Sequence, residues 1–222
     1  MQYNRFREQA HEEIDTIFCT LFPKYQMTIR EEQIHLCQQM LSALWDGQIA
    51  LCDAAVGVGK TYAYLVAGIL FRKYSGMLSG NYCMSQDTRP MVISTSSIAL
   101  QDALLGEYIP LLSRILTKEK VIGRQVRAVL RKGKEHFVCD RRLELRIAAV
   151  SARKNVRQKK ALQALRETCD MDGVKNLSGF DRRMVCVPKR CPADCPARRY
   201  CRYQSFLRRA VETDIDIQVC NH

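Results

Sequence analysis

The stretch "AAVGVGKT", residues 54–61, lies between a short apolar segment and a long apolar run, and it decides the fold class that the sequence predicts. It matches the Walker A pattern, GxxxxGK followed by Ser or Thr, except that Ala54 replaces the first glycine. Gly57 and Gly59 would let the backbone turn its N–H groups towards phosphate, and the next helix would add its positive N-terminus. The alternative is a tight strand–helix turn that happens to contain Gly-Lys-Thr.

The loop motif assigns a role to individual side chains. Lys60 is expected to contact the β- and γ-phosphates of ATP, and the Thr61 hydroxyl is expected to bind Mg²⁺. Lys60 and Thr61 are therefore the predicted catalytic residues. The predicted nucleotide contacts of the loop are Ala54, Gly57, Val58, Gly59, Lys60 and Thr61.

The elements around the loop predict an α/β protein with a mostly parallel sheet, because strands alternate with helices. Thr28 and Glu31 have the spacing of a capping box and predict the start of a second helix, which Gly47 would end. The other predicted helices cover 3–22, 61–74, 97–106, 141–168 and 202–211. The predicted strands are "QIALCDA" (48–54), "MVIST" (91–95), "VRAVL" (126–130) and "DIDIQVC" (214–220), while 77–90 and 171–200 are predicted to be irregular.

Charge is concentrated in one part of the chain. The formal net charge is +12, and the range 124–209 contains 24 Lys and Arg against 8 Asp and Glu. This distribution predicts a surface that binds a polyanion, and the alternative is a solvated basic surface. The longest apolar run, 62–71, is too short to span a bilayer, and no secretory signal is visible. We therefore expect a cytoplasmic protein with no membrane partner.

Cysteine spacing predicts a metal site. The chain has eleven cysteines, and three of them lie in "CPADCPARRYC", residues 191–201. Four thiolates could bind Zn²⁺ or a 4Fe–4S cluster, and spacing alone supports zinc at least as well. The alternative, buried free thiols, is disfavoured because Pro192 and Pro196 stiffen a loop with little apolar content. The predicted ligands are Cys139, Cys191, Cys195 and Cys201, with Cys186, and less strongly Cys169, as substitutes.

Six short stretches in order resemble the iron–sulfur helicases of superfamily 2, the XPD/DinG group, and most closely its bacterial DinG-like branch. The resemblance runs from about residue 25 to the end. The stretches are "TIREEQ" (28–33, the Q-motif), "DAAVGVGKT" (53–61), "VISTSSIALQDAL" (92–104, motif Ia), "RKGKEHFVC" (131–139), "CPADCPARRYCRY" (191–203) and "DIDIQVCNH" (214–222), which resembles the strand before motif II.

This resemblance implies a P-loop RecA-like motor domain 1 with a parallel sheet, carrying a mostly helical iron–sulfur cluster insertion. The implied domains are an N-terminal helix (1–24), the first part of the RecA-like ATP-binding domain (25–131), the cluster insertion (132–205), and a return to the RecA-like domain (206–222) that ends before motif II. The implied cofactors are ATP, Mg²⁺ and a 4Fe–4S cluster, with Zn²⁺ as the alternative. The implied partner is single-stranded or forked DNA.

The resemblance also implies positions for binding residues. Arg30 and Gln33 would lie near the adenine, and Thr95 and Gln101 along the path of the single strand. Arg198, Arg199 and Arg202 flank a predicted cluster ligand, where they could neutralise the cluster or contact DNA phosphates. Further basic residues precede them in the charged helical segment, namely Arg141, Arg142, Arg153, Lys154, Lys159 and Lys160.

The expected function is that of an ATP-dependent DNA helicase with 5′→3′ polarity. Asp214 and Asp216 are poor substitutes for a Walker B carboxylate, because they precede or interleave with the apolar residues of their strand. We therefore expect the 222 residues alone to be inactive, with a continuation of the polypeptide or a partner supplying motif II and motor domain 2. The alternatives are a non-catalytic nucleic-acid-binding module with a four-cysteine zinc or cluster site and a vestigial P-loop, and a stand-alone P-loop kinase or ATPase, which the Q-like motif and the cysteines disfavour.

Overall fold

A computed structural model describes residues 2–78, 90–151, 156–210 and 215–221. The chain divides into two compact units. The first unit contains Met1–Val129 and Thr213–Cys220, with His222, and the second contains Leu130–Glu212, with Asn221. The predicted cluster insertion, 132–205, falls within the second unit, and the functional names of the predicted domains stay predictions.

The first unit contains six α-helices among its described residues, and the second contains four. Two π-helical stretches, Thr16–Leu21 and Leu104–Tyr108, continue helices of the first unit, and 3₁₀ turns cover Lys134–His136 and Arg198–Tyr200 in the second. The helices are α1 (Gln2–Asp15), α2 (Phe22–Lys24), α3 (Glu31–Trp45), α4 (Lys60–Leu78), α5 (Ile98–Ala103), α6 (Ile109–Lys118), α7 (Asp140–Ser151), α8 (Val156–Ala164), α9 (Gly179–Val185) and α10 (Arg202–Ala210).

Helix α4 forms the centre of the helical core in the first unit. It packs against both α1 and α3. Its residues Leu65, Val66, Ala67, Ile69 and Leu70 are all buried, so α4 is apolar on more than one face, as a helix covered by neighbours must be. The core therefore determines where α4 begins, and with it the position of the glycine-rich loop.

A three-stranded sheet accompanies this helical layer. Its strands are β1 (Met91–Ser94), β2 (Ala128–Arg131) and β3 (Ile217–Cys220), in the order β1-β3-β2. β1 and β3 are parallel, with Met91 opposite Ile217 and Ser94 opposite Cys220. The prediction of an α/β fold with parallel strands is confirmed at this level. None of the helices in the described ranges is long and apolar enough to cross a lipid bilayer.

The predicted strand 48–54 is absent from the sheet, so this prediction is wrong. The segment has no regular secondary structure, and Ile49 and Leu51 are fully exposed. Gln48 and Ala50 instead line an apolar cleft of about 700 Å³ that α3, α4 and β1 also line. An apolar sequence becomes a strand only when another strand pairs with it, and none of the described strands does so.

Smaller departures concern helix ends and irregular segments. Helix α3 begins at Glu31 after Arg30, and no side chain caps it, so the predicted capping box of Thr28 is wrong. The helix predicted over 97–106 continues through the π-helical stretch and α6 to Lys118, and α9 lies within the range predicted to be irregular. Most of the predicted loop 77–90, together with Arg153, Lys154 and Asp214, lies outside the described residues.

Asp216 lies directly before β3 and contacts residues at or just before the start of β1 and β2. Its side chain is almost fully buried and pairs with Arg72 of α4 and with Arg124. Its carboxylate also accepts a hydrogen bond from the backbone N–H of Arg127 at 2.8 Å, and its carbonyl oxygen accepts one from Met91 at 2.8 Å. The carboxylate therefore joins α4, the segment before β2, and β3.

We expect Asp216→Ala to destabilise the first unit by about 3–5 kcal/mol, because it removes the carboxylate that pairs with the buried Arg72 and with Arg124. Trp45 is the single tryptophan and lies buried in this unit, so urea unfolding followed by its fluorescence measures the effect. The matched control is Asp46→Ala, which breaks a partly exposed pair with Arg7 and should cost much less. Equal losses for the two variants would contradict the role given to Asp216.

Candidate functional site

The glycine-rich loop contains two glycines with a left-handed backbone. Gly57 and Gly59 have φ angles of +92° and +89°, in the left-handed region that favours glycine. A β-carbon on Gly59 would also overlap the side-chain amide of Gln33, so glycine is required there for space as well. Lys60 is the first residue of α4, which places the loop at a helix N-terminus.

Gln33 holds this loop from α3. The side chain is 3% exposed, and its Nε2 donates a hydrogen bond of 2.6 Å to the carbonyl oxygen of Gly59. Arg30 immediately precedes α3 and is exposed. The predicted Q-motif and the predicted phosphate loop are therefore joined directly through Gln33. The proximity of Arg30 and Gln33 to an adenine stays a prediction.

Lys60 lies over the loop that precedes it. Its Nζ donates to the carbonyl oxygens of Ala54 at 2.5 Å and Ala55 at 3.0 Å, and the residue is exposed. Thr61 and Val58 are half-buried beside it. The arrangement combines a cation, a helix N-terminus and two left-handed glycines, which are the components that bind a phosphate group.

The predicted motif Ia residues Thr95 and Gln101 bond to each other around the start of α5, whose N-cap is Ser97. The Thr95 hydroxyl oxygen accepts a hydrogen bond from the backbone N–H of Ser97, and the Thr95 carbonyl accepts one from the side-chain amide of Gln101, both at 3.1 Å. Gln101 is buried at 4% exposure. Polar groups of both side chains are therefore engaged in hydrogen bonds within the chain. The position of Thr95 and Gln101 along a DNA strand stays a prediction.

Three cysteines share one apolar cluster in the second unit. The cluster consists of Phe137, Val187 and Tyr203, and the thiol-bearing residues that pack against it are Cys139, Cys169 and Cys201. Burial is the main cause of the raised pKa values of the Cys139 and Cys169 thiols. Two of the four predicted ligands, Cys139 and Cys201, are thus brought to the same place.

The other two predicted ligands occupy a turn-rich loop. Cys191 is exposed, and Cys195 donates its backbone N–H to the carbonyl of Pro192 at 3.3 Å. Within the part of the chain that is described, no three His, Cys, Asp or Glu side chains are arranged to hold a metal ion. As placed, the four thiols do not form a ligand set, and the metal site stays a prediction.

The two substitute ligands pack in different places, with Cys169 in the same apolar cluster as Cys139 and Cys201. Cys186 packs against a different apolar cluster, which includes Val138 and Val185, and its Sγ contacts the carbonyl oxygen of Arg183 at 3.4 Å. The ranking of Cys186 above Cys169 as a substitute ligand stays a prediction.

The arginines near the cysteines differ in how they are used. Arg202 is half-buried, and its guanidinium donates to the Asp140 carboxylate at 2.7 Å and to the carbonyls of Leu165 and Arg166. Arg198 and Arg199 are exposed, although Arg198 also donates to the carbonyl of Ala193. Arg202 therefore anchors the segment after Cys201, while Arg198 and Arg199 remain accessible.

Asp172 organises the segment that follows Cys169. Its carboxylate forms hydrogen bonds with the side chains of Lys132 at 2.8 Å, His136 at 3.0 Å and Arg182 at 2.9 Å. Burial raises the pKa of Asp172, but the hydrogen bonds from these three side chains lower it further, to below the usual range for aspartate.

Comparison with known proteins finds distant relatives that carry the name DinG. The chain is 32% identical over 92 residues to the ATP-dependent DNA helicase DinG of Photobacterium profundum, covering 41% of the chain and 11% of that relative. It is 24% identical over 198 residues to the 3'-5' exonuclease DinG of Staphylococcus aureus, covering 88% of the chain and 20% of the relative. The chain thus spans a fifth or less of the length of these relatives. No protein-family model matches it.

We expect Asp172→Asn to remove an acid-dependent part of the stability of the second unit. A carboxyl with a lowered folded pKa stabilises fully above its unfolded pKa, near 3.8, and loses this contribution as the pH falls through the folded pKa. The wild-type protein should therefore exceed the variant in stability at pH 5, and the gap should shrink towards pH 2. Urea unfolding followed by circular dichroism measures the gap. The exposed Asp194→Asn is the control, and a gap for Asp172→Asn that does not change with pH would contradict the assignment.

Proposed function

We propose that the chain is the ATP-binding and DNA-binding front part of a DinG-like, ATP-dependent DNA helicase with 5′→3′ polarity. The observation that carries this proposal is the loop 54–61, in which two left-handed glycines lead into α4 and Gln33 holds Gly59. The distant similarity to DinG-named proteins supports DNA as the substrate. The catalytic carboxylate and motor domain 2 would come from further chain or from a partner.

In this proposal the phosphates of ATP replace contacts that the loop now makes with itself. Lys60 exchanges the carbonyls of Ala54 and Ala55 for β- and γ-phosphate oxygens, while the loop N–H groups and the N-terminus of α4 add further donors. Thr61 offers its hydroxyl oxygen to Mg²⁺. Gln33 is a positioning residue, because its hydrogen bond to Gly59 keeps the loop next to α3.

We also propose that Cys139, Cys191, Cys195 and Cys201 bind a 4Fe–4S cluster, with Zn²⁺ as the alternative. Cys139 and Cys201 already pack against the same apolar cluster, whereas Cys191 and Cys195 lie in a loop. Tyr203 belongs to this apolar cluster, and its pKa is raised chiefly by burial. The Cys191 thiol adds to this rise, so Cys191 lies close enough to Tyr203 to interact with it electrostatically. We therefore expect metal binding to be coupled to folding of the loop 191–201.

A non-catalytic nucleic-acid-binding module is the second candidate. The placement of Asp216 is consistent with it: this carboxylate directly precedes β3 and is buried between Arg72 and Arg124, where it cannot hold Mg²⁺. In this candidate the chain binds DNA through the basic second unit and does not hydrolyse ATP. An ATPase assay on protein that carries the continuation of the chain separates the two candidates.

Lys60→Ala should weaken ATP binding about 10–100-fold, because a hydrogen bond to a charged group contributes about 1.5–3 kcal/mol. Isothermal titration calorimetry with Mg·ATP measures the affinity directly. The matched control is Lys189→Ala, an exposed lysine in the second unit that should leave the affinity unchanged. Wild-type affinity in the Lys60 variant would refute the phosphate-loop assignment.

Cys195→Ser should abolish metal retention by protein purified without oxygen. We expect the wild-type protein to contain about four irons with inorganic sulfide and to be brown; about one zinc and no colour would support the binding module instead. Elemental analysis and a visible spectrum give the result. The control is Cys19→Ser, an exposed cysteine of the first unit that should leave the metal content unaltered. Full metal retention by the Cys195 variant would remove this ligand.

A further inference from the structure

A basic cleft of about 350 Å³ lies within the second unit, formed by α8 and the loop 173–176. Three of its lining side chains are cationic, and none of its lining residues carries a carboxylate or an aromatic ring. The residues that carry the argument are Arg157, Lys160, Lys175, Asn176, Ala161 and Ala164.

The walls of the cleft are fixed by the helix and by one side-chain contact. Arg157, Lys160, Ala161 and Ala164 recur at helical spacing and so share one face of α8. Opposite them, Asn176 has a φ angle of +63°, and its side-chain oxygen accepts a hydrogen bond of 3.2 Å from Arg157. The two alanines are the smallest side chains on this face, so they leave space for a ligand beside the three cations.

The cleft cations differ from the arginines of the second unit that pair with carboxylates. Arg146 pairs with Asp181, and Arg202 pairs with Asp140. Arg157, Lys160 and Lys175 make no salt bridge with any residue in the described ranges. Like charges placed together without an acid repel each other, and an anion in the cleft relieves this repulsion.

We propose that this cleft binds backbone phosphates of single-stranded DNA. The inference rests on the proposed function and adds a contact surface beyond Arg198, Arg199 and Arg202. A guanidinium fork and two ammonium groups suit phosphate oxygens. The lining provides no aromatic ring on which a base could stack, so the contact is to the backbone and independent of sequence.

The test is fluorescence anisotropy with a labelled oligo-dT of about 20 nucleotides at several salt concentrations, using the full chain. The variant is Arg157→Gln with Lys160→Gln and Lys175→Gln. It should bind at least tenfold more weakly, and its plot of log K against log salt should flatten by about 2, since each lost phosphate contact removes about 0.7 from the slope for single strands. The matched control removes three other exposed cations of this unit, with Arg183→Gln, Lys189→Gln and Arg190→Gln.

The outcomes separate the cleft from the proposed function. If the wild-type chain does not bind the oligonucleotide at low salt, the proposed function fails. If the wild type binds and the cleft variant keeps its affinity and slope, the cleft inference is overturned and the proposed function stands. A control that loses as much as the cleft variant also overturns the cleft, because net charge then accounts for binding. An unchanged circular dichroism spectrum shows that each variant keeps its fold. The single variant Lys175→Gln should flatten the salt plot by about a third as much as the triple variant does.

Discussion

One buried carboxylate, that of Asp216, holds the first unit together at the point where its sheet and helices meet. It pairs with Arg72 of α4 and with Arg124, and it accepts the N–H of Arg127 ahead of β2. Buried ion pairs add little net stability, because desolvation offsets the attraction between the charges. Their effect is to disfavour other arrangements, since every alternative that separates Asp216 from Arg72 loses the attraction between these two buried charges. The position of β2 beside β3 and the position of α4 therefore depend on the same side chain.

The position of α4 in turn determines the geometry of the loop before it. Because Ala67 and Leu70 are buried in the helical core, α4 cannot slide along its axis, and Lys60 is held at its first turn. Gln33 then ties Gly59 to α3 from the other side. The loop is thus preorganised by two helices, although the segment 48–53 before it has no strand partner among the described residues. Such a loop needs little rearrangement to accept a phosphate group, which is the physical basis of the proposed nucleotide site.

Local patterns predicted much of this, and tertiary pairing accounts for what they missed. The apolar run of β1 and the alternation in β3 were enough to predict both strands, and the positive φ of Gly57 and Gly59 follows from the motif. The segment 48–54 has an equally good strand pattern, but whether it pairs depends on a neighbour that its own sequence does not specify. Spacing along the chain does not predict that Cys169 packs in the same apolar cluster as Cys139 and Cys201, for the same reason, since the isolated bridge between Phe137 and Asp170 brings distant segments together.

The charge pattern shows the limit of composition most clearly. A strongly basic second unit predicts polyanion binding, yet Asp140, Asp172 and Asp181 are tied to arginines that hold the unit together. These arginines add to the number of basic residues, but their charges are already balanced by the aspartates. Only cations that lack a carboxylate partner can exchange counterions for phosphates, so the location of acids matters as much as the number of bases. On the proposed function, the two units then recognise phosphate by different means: the first uses backbone N–H groups and one lysine for a triphosphate, and the second uses side-chain cations for a phosphodiester backbone.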